Sequence, residues 1–226
     1  MPGLERAHQV SCAWIGRGEA ARPDPSSLLP LLDDRERPLA LATVSQIHSS
    51  RWLRADRSTR GGHRVLGEAD AILTAEPDLA LGIATADCLP IVAVDSQAPA
   101  LAVVHAGWRG SRAGVLREAL LGMQQTFGAR PERTSIGIGP GAGPCCYQVG
   151  EEVAEAFTAR VVRREDGGSP RLDLVEANRL QALEAGILPG QIHSLNVCTI
   201  CNPDTCHSYR RDGPTAGRMW LLASLI

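Results

Sequence analysis

Three short apolar runs constrain this chain more than any other feature, because each delivers a metal-capable side chain at one end. Pro38 to Gln46 (PLALATVSQ) leads into His48; Leu79 to Thr85 leads through Ala86-Asp87 to Cys88; Ala100 to His105 (ALAVVH) ends on a histidine. Aliphatic, β-branched runs of this length beside Gly or Pro predict buried strands. Neighbouring strands bring their ends together, so His48, Cys88 and His105 are expected to converge. Each taken alone reads as a buried structural Cys or a capping His; the three together read as a metal site. Two His and one Cys with room for an exchangeable fourth ligand describe a catalytic zinc rather than a structural one. The same His₂Cys set also occurs in blue-copper sites, which usually add a weak axial Met. Here Met1, Met123 and Met219 lie in no ligand-like context. A multicopper oxidase would need about ten His for its further ions, against six in this chain. Copper is therefore the less favoured ion.

The 226 residues, 44% hydrophobic, suffice for a real core in one large domain or two small ones. A formal charge of −2 argues against a nucleic-acid binder. No window of about 18 apolar residues exists, so no membrane span is expected. Met1 to Arg22 lacks the apolar core of a signal peptide, which points to a cytoplasmic protein. All 23 Lys+Arg residues are arginine. That removes Schiff-base, pyridoxal-phosphate and P-loop lysine chemistry, and leaves phosphate or carboxylate to the bidentate fork of Arg or to backbone N–H groups. The seven Cys (12, 88, 145, 146, 198, 201, 206) point to metal or reactive thiols rather than to a disulfide framework.

Along the chain, residues 1–37 are weakly patterned and 49–68 read as a polar loop or irregular hairpin. Strands are expected at 38–46, 69–74, 79–85, 89–94, 100–105, 135–138, 196–200 and 218–226. Helices are expected at 111–127, stopped by Gly128, at 150–160, and at 174–185 between an Asp173 N-cap and Gly186. Strands outnumber helices, an α/β or α+β domain with mixed sheets and flanking helices.

Other residues qualify for supporting roles. Asp87, beside Cys88, can orient a ligand His or a metal-bound water, or simply cap a turn. Asp70, at the start of a strand, reads equally well as a turn residue. His105-Ala106-Gly107-Trp108-Arg109-Gly110 opens a helix whose free N–H groups, with Arg109, suit an anion. The Gly-rich run 137–143 can wall a ligand pocket. In Cys198 to Gly213, the cluster Cys198, Cys201, Cys206 and His207 suggests a second, structural zinc, but without a distant second ligand pair the reading is disfavoured. Tyr209, Arg210 and Arg211 can supply stacking and anion binding, or a surface ion-pair cluster. His8, His63 and His193 read as loop or surface residues.

These segments carry a resemblance. QIHS (46–49), EADAILT (68–74), TADCLPIV (85–92), HAGWRG (105–110), IGIGPGAGPCCYQVGEEV (136–153), LDL with Asn178, and CTICNPDTCHSYRRDGPTAGRM (198–219) occur in the order found in the laccase-domain family. That family, once called multicopper polyphenol oxidases, is also known as YfiH or DUF152. The resemblance covers roughly 38–226. It implies a single YfiH-like catalytic domain over 38–226, one globular domain overall, and leaves open how the N-terminal segment 1–37 packs. It further implies one zinc per chain on His48, Cys88 and His105, with Asp87 in the catalytic group and Arg109, Tyr209, Arg210 and Arg211 toward substrate and phosphate. The implied activity is phosphorolysis of adenosine, inosine, guanosine and methylthioadenosine, plus adenosine deamination, on small-molecule nucleoside and phosphate, with no obligate protein partner evident. The chain departs from the family pattern at its N-terminus, at Ser49 with the bulky Arg51-Trp52, expected at the pocket mouth, and at Cys206-His207. The alternatives are a copper-dependent polyphenol oxidase, a hydrolase editing a peptidoglycan precursor, and a zinc-stabilised binding module whose fourth ligand would be Cys206 or His207.

Overall fold

The alternation of side chains along two central strands sets the architecture. The computed structural model describes residues 10–17, 23–32, 40–59, 61–95 and 97–226. Its strands are β1 (Val10–Ile15), β2 (Ala40–Ser45), β3 (Trp52–Arg54), β4 (His63–Glu68), β5 (Ala71–Thr74), β6 (Leu79–Thr85), β7 (Leu89–Asp95), β8 (Ala100–Ala106), β9 (Thr134–Ile138), β10 (Val162–Arg163), β11 (Arg171–Leu172), β12 (Ile192–Ser194) and β13 (Met219–Leu225). The α-helices are α1 (Trp108–Arg112), α2 (Val115–Phe127), α3 (Glu151–Ala154), α4 (Leu174–Glu184) and α5 (Tyr209–Asp212).

Strands β7 and β8 are buried at every position. On β8, Ala102 and Val104 join Leu116 and Met123 of α2 in one cluster. Leu101 and Val103, pointing the other way, join Leu81, Ile83 and Leu221 in another. A continuous apolar run is what a strand covered on both faces requires. The six-stranded sheet β12-β9-β7-β8-β5-β3 thus lies between a helical layer and the five-stranded sheet β1-β13-β6-β2-β4. The outer face of the five-stranded sheet carries Leu41 and Leu222, with Leu28 and Leu29 of the 3₁₀ turn Pro25–Leu31 packed against them. Fully burying one Leu or Ile contributes about 1.5–3 kcal/mol, so the all-aliphatic middle layer anchors the fold.

Several expectations are corrected. The stretch 49–68 holds β3 and β4, one on each sheet, rather than a loop. The helix expected over 111–127 is two helices, α1 and α2, broken at Gly114 with φ +79°. The helix expected over 150–160 is the single turn α3; the β-branched Val161-Val162 beyond it leaves the helix, and Val162 pairs with Leu172. The strand expected at 196–200 falls at β12 instead, because Asn196 turns left-handed (φ 51°) and sends the chain toward Gly141, which Cys198 bridges. The weakly patterned N-terminal stretch contributes β1, paired along its length with β13. Pro38, Leu39 and His8 lie outside the described residues. Asp173 caps α4 as expected, accepting the Glu176 N–H, and Gly186 follows with φ +89°.

Candidate metal centre and its cleft

The antiparallel pairing of β7 with β8 explains why Cys88 and His105 meet. Pro90 sits opposite His105, so Cys88, just before β7, lies beside the far end of β8. His105 shares the parity of Leu101 and Val103, and its side chain faces the opposing sheet. His48 arrives from that sheet. At the end of β2, the Gln46 amide donates to the Ala84 carbonyl (2.8 Å) and accepts the Ala84 N–H (2.9 Å), standing in for a strand partner on β6. The chain then crosses to β3 in the other sheet. His48 occupies that seam with φ 61°, a left-handed conformation uncommon for a non-Gly residue.

A buried carboxylate holds the seam. Asp70, wholly buried just ahead of β5, accepts the backbone N–H of His48 (2.9 Å) and Ser49 (2.6 Å), the Ser49 hydroxyl (2.8 Å), and an N–H from Ile47 (3.3 Å). It also lies 2.8 Å from His105 Nδ1. With the Nδ1 proton committed to Asp70, His105 turns Nε2 toward Cys88, the arrangement by which a carboxylate fixes the tautomer of a metal-ligating His. Burial alone would raise the Asp70 carboxyl, but the hydrogen bonds from His105 and Ser49 outweigh it and hold the pKa at about 2.

One ligand atom each from His48, Cys88 and His105 lies within 4.8 Å of the others. The two imidazoles meet edge to face, their centroids 4.9 Å apart. Burial pushes the Cys88 thiol up, but the charge of His105 and hydrogen bonds from both His bring it down to about 6. Burial likewise lowers His105, yet the Cys88 and Asp70 charges and hydrogen bonds raise it to about 9. Both directions describe a thiolate drawing positive charge toward itself, which is what a metal ligand does. Gly107 makes room: a Cβ there would stand 2.6 Å from Cys88 Sγ and 3.2 Å from His48 Cδ2. The donors and the space fit a tetrahedral zinc with an open position. For copper, no Met approaches: among the described residues Met123 lies in the core under α2 and Met219 pairs with Thr85.

The centre opens into a cleft of about 500 Å³, whose walls include Asp87, Arg109, Tyr147, Tyr209 and Arg210. That size is ordinary for a small-molecule site. Asp87, with φ 86°, accepts the Thr199 hydroxyl (2.6 Å) and the Arg210 N–H (2.6 Å). It thus braces the segment that carries Tyr209 and Arg210, and the His-orienting role belongs to Asp70. The Arg109 guanidinium lies 4.4 Å from the Trp108 ring, and Arg210 lies 5.1 Å from the Tyr147 ring. Helix α1 has only five residues, too few for an anion site at its terminus, so the cationic groups at this wall of the cleft are the arginine side chains. Tyr209 is exposed, while Tyr147 is buried and its hydroxyl is pushed up to about 12, mainly by that burial. Arg211 is not part of the cleft wall: it pairs with Asp212 and donates to the carbonyls of Thr199, Ile200 and Cys206. Its role here is to hold that loop.

Trp52 packs on α2 at Gly122, away from the pocket mouth where a bulky residue was expected. Neither Cys206 nor His207 joins the three ligands, although both are buried. Cys145 and Cys146 stay away from the centre as well and gather instead with Cys198 and Cys201. Of the residues the motif reading undervalued, Asp70 had a signal: a single carboxylate set between Ala69 and Ala71 at the head of an apolar run. Tyr147 had none beyond its place after a Gly-rich loop.

With this geometry in view, the comparisons with known proteins converge. Residues 32–226 match the family described as multi-copper polyphenol oxidoreductase laccase. The chain belongs to that family. It is 36% identical over 221 residues to a purine nucleoside phosphorylase of Bacteroides thetaiotaomicron, covering 92% of this chain and 82% of that protein. It is also 36% identical over 190 residues to "adenosine deaminase RL5" of an unknown prokaryotic organism, covering 79% and 72%. Its fold matches the crystal structure of the Bacillus licheniformis hypothetical protein YfiH with a TM-score of 0.87 at 25% identity, covering 96% of this chain and 93% of that one. Among the described residues no helix is long and apolar enough to cross a membrane.

Proposed function

We propose that this chain is a zinc-dependent enzyme acting on purine nucleosides, cleaving them with phosphate and deaminating adenosine. The observation that carries the reading is the open three-ligand centre of His48, Cys88 and His105, tied to Asp70 and facing a cleft lined by Arg109, Arg210, Arg218 and the exposed Tyr209. The relatives named for phosphorolysis and for deamination support the same substrate class.

In this reading His48, Cys88 and His105 hold the metal. When bound, zinc supplies a Lewis acid and brings the pKa of a coordinated water toward about 7. The chain's own residues do the rest. Tyr209 offers a face on which a purine can stack. Arg109 and Arg210 each lie over an aromatic ring; Arg109 offers its guanidinium to phosphate, and Arg210, whose Nη1 donates to the Gln148 carbonyl (2.7 Å), offers its remaining N–H groups. In phosphorolysis a phosphate oxygen bonds to ribose C1′ as the bond to the purine nitrogen breaks, and charge builds on the sugar while the base departs. The two arginines place the phosphate for that attack, a positioning effect that can supply a large part of a barrier. In deamination water adds at C6 and ammonia leaves. Asp70 keeps the Nδ1 proton of His105, so the ring nitrogen facing the site stays free to ligate. Asp87 fixes the Thr199 and Arg210 segment against the cleft.

The test is product analysis on adenosine with and without phosphate, by chromatography, on purified protein of measured metal content. Adenine with ribose 1-phosphate, or inosine with ammonia, lost in Cys88→Ala, is the expected result. No product from adenosine, inosine, guanosine or methylthioadenosine would sink the proposal, as would near-normal turnover in Cys88→Ala.

A further inference from the structure

Seven residues of the chain are Cys, and the centre uses one. Four others, Cys145, Cys146, Cys198 and Cys201, come from two segments far apart in sequence, and their sulfurs all lie within 4.8 Å of one another. Cys201 Sγ is 3.1 Å from Cys146 Sγ and 3.5 Å from Cys145 Sγ. For a tetrahedral ion with Zn–S near 2.3 Å, sulfur atoms stand about 3.8 Å apart; these four, with contacts of 3.1 and 3.5 Å and none beyond 4.8 Å, bracket that spacing. Two bridges assemble it: the Gly141 N–H donates to the Val197 carbonyl (3.2 Å) and the Thr199 N–H to the Gly141 carbonyl (3.0 Å). The Gly143 N–H donates to Cys198 Sγ (3.3 Å), a contact that favours thiolate. The Cys198-Thr199-Ile200-Cys201 spacing is that of a metal knuckle. The missing distant pair is supplied by Cys145-Cys146.

We infer that Cys145, Cys146, Cys198 and Cys201 form a second metal site, a closed four-thiolate site for zinc. Four thiolates gathered round one point select zinc or iron among common ions, and a full set of protein ligands marks a structural rather than a catalytic role. Two of the tethered residues border the cleft machinery: Tyr147 follows Cys146 directly, and Thr199 lies between two ligands and donates to Asp87. The ion therefore clips the loop that carries Tyr147, part of the cleft wall, to the loop whose Thr199 donates to Asp87. Cys206 and His207 take no part in it.

The experiment is zinc stoichiometry by mass spectrometry on purified full-length wild type, Cys88→Ala, and Cys198→Ser/Cys201→Ser. Two zinc ions per chain are expected in the wild type and one in each variant. A wild type whose only ion disappears in Cys88→Ala overturns the inference. Because the double Ser variant can fail to fold, Cys88→Ala is also loaded with Co²⁺. A thiolate-to-cobalt charge-transfer band with strong tetrahedral visible absorption supports the site, and its absence overturns it. Thiol titration of wild type denatured with chelator and no reductant supplies a third readout. All seven thiols free supports metal ligation; a shortfall of two or four, meaning disulfides, overturns it. Zinc bound by the four thiols with no nucleoside turnover would leave this inference standing while the proposed activity fell.

Discussion

The two cysteine-bearing sites differ in how they are built. The His48, Cys88 and His105 centre sits at strand ends, where two sheets meet, and its geometry is fixed by a wholly buried aspartate. The four-thiol site sits on two surface loops, with Cys145 and Cys201 exposed, and is organised by a few backbone hydrogen bonds. The first is set by side chains locked where two sheets meet; the second lies on loops joined by backbone bonds, which the inferred ion would tie further. The difference follows from what each must do. Under the proposed activity, an open position needs ligands that do not move when the fourth partner changes, and strand ends locked by Asp70 fit that demand. A closed site has no such demand, so loops suffice.

The sharpest way to break this comparison is to remove one ligand from each site. Cys88→Ala takes one of three ligands and the thiolate, and turnover should fall about 10³-fold or more, since metal activation supplies several kcal/mol and each 1.36 kcal/mol is tenfold. Stability should change little, because the sheets remain. Cys201→Ser should do the reverse, lowering the melting temperature and weakening substrate binding while retaining chemistry. Paired kinetics and thermal melts read both, and equal effects of the two variants on kcat would erase the distinction.

Next in size is Gly107→Ala. The added Cβ meets Cys88 Sγ at 2.6 Å, and neither the strand end nor the ligand can withdraw far. Displacing a reacting group by about 1 Å costs on the order of 10²-fold, so kcat should fall by about that factor with circular dichroism unchanged. An alanine variant as active as wild type would mean that Cys88 is free to move and that the strand-end site is less rigid than argued.

How much of this was legible in the sequence follows the same division. The ligands of the strand-end centre could be read because apolar runs announce strands and each run ended on a ligand. Asp70 was undervalued because a carboxylate beside a strand start is usually a turn residue, and only the pairing of Ala71 with Val104 brings it next to His105. The four-thiol site was half legible. Cys198 and Cys201 stood in a disfavoured set with Cys206 and His207, which the structure leaves out; Cys145-Cys146 lie more than fifty positions away and meet them only through the bridge from Gly141 to Cys198. The strand expected at 196–200 hid that turn, since Val197, Thr199 and Ile200 have strand-like side chains and only the left-handed Asn196 redirects them. Arg211 was unreadable as a loop brace because its partners are mostly backbone carbonyls.

A smaller test asks whether Asp70 acts through the ligands or only through the fold. Asp70→Asn keeps the shape but replaces an ionic acceptor with a neutral amide, and metal affinity should drop about 10–100-fold. Dialysis against a graded chelator would measure it, and an unchanged affinity would deny Asp70 its orienting role.

The control is Asp95 at the other end of the same sheet. It too is buried, and it accepts backbone N–H groups from Gln97 (2.7 Å), Ala98 (3.0 Å) and Arg130 (2.8 Å), with Arg133 at 3.2 Å. Burial works to raise its carboxyl, but those hydrogen bonds and the Arg133 charge hold it below the usual carboxylate range. Because the folded pKa is the lower one, its contribution to stability is present above the unfolded value of about 3.9 and is lost as pH falls through the folded value. Asp95→Asn should therefore cost about 1–3 kcal/mol at pH 7, and the gap from wild type should shrink below pH 4. Metal affinity at neutral pH should stay at the wild-type level, because Asp95 touches no residue of the centre. Urea unfolding at pH 7 and pH 3, set beside the chelator titration, separates the two aspartates: Asp70→Asn should move both measurements and Asp95→Asn only the first. If Asp95→Asn also weakened the metal, the rigidity of the strand-end centre would belong to the whole sheet rather than to the carboxylate beside it.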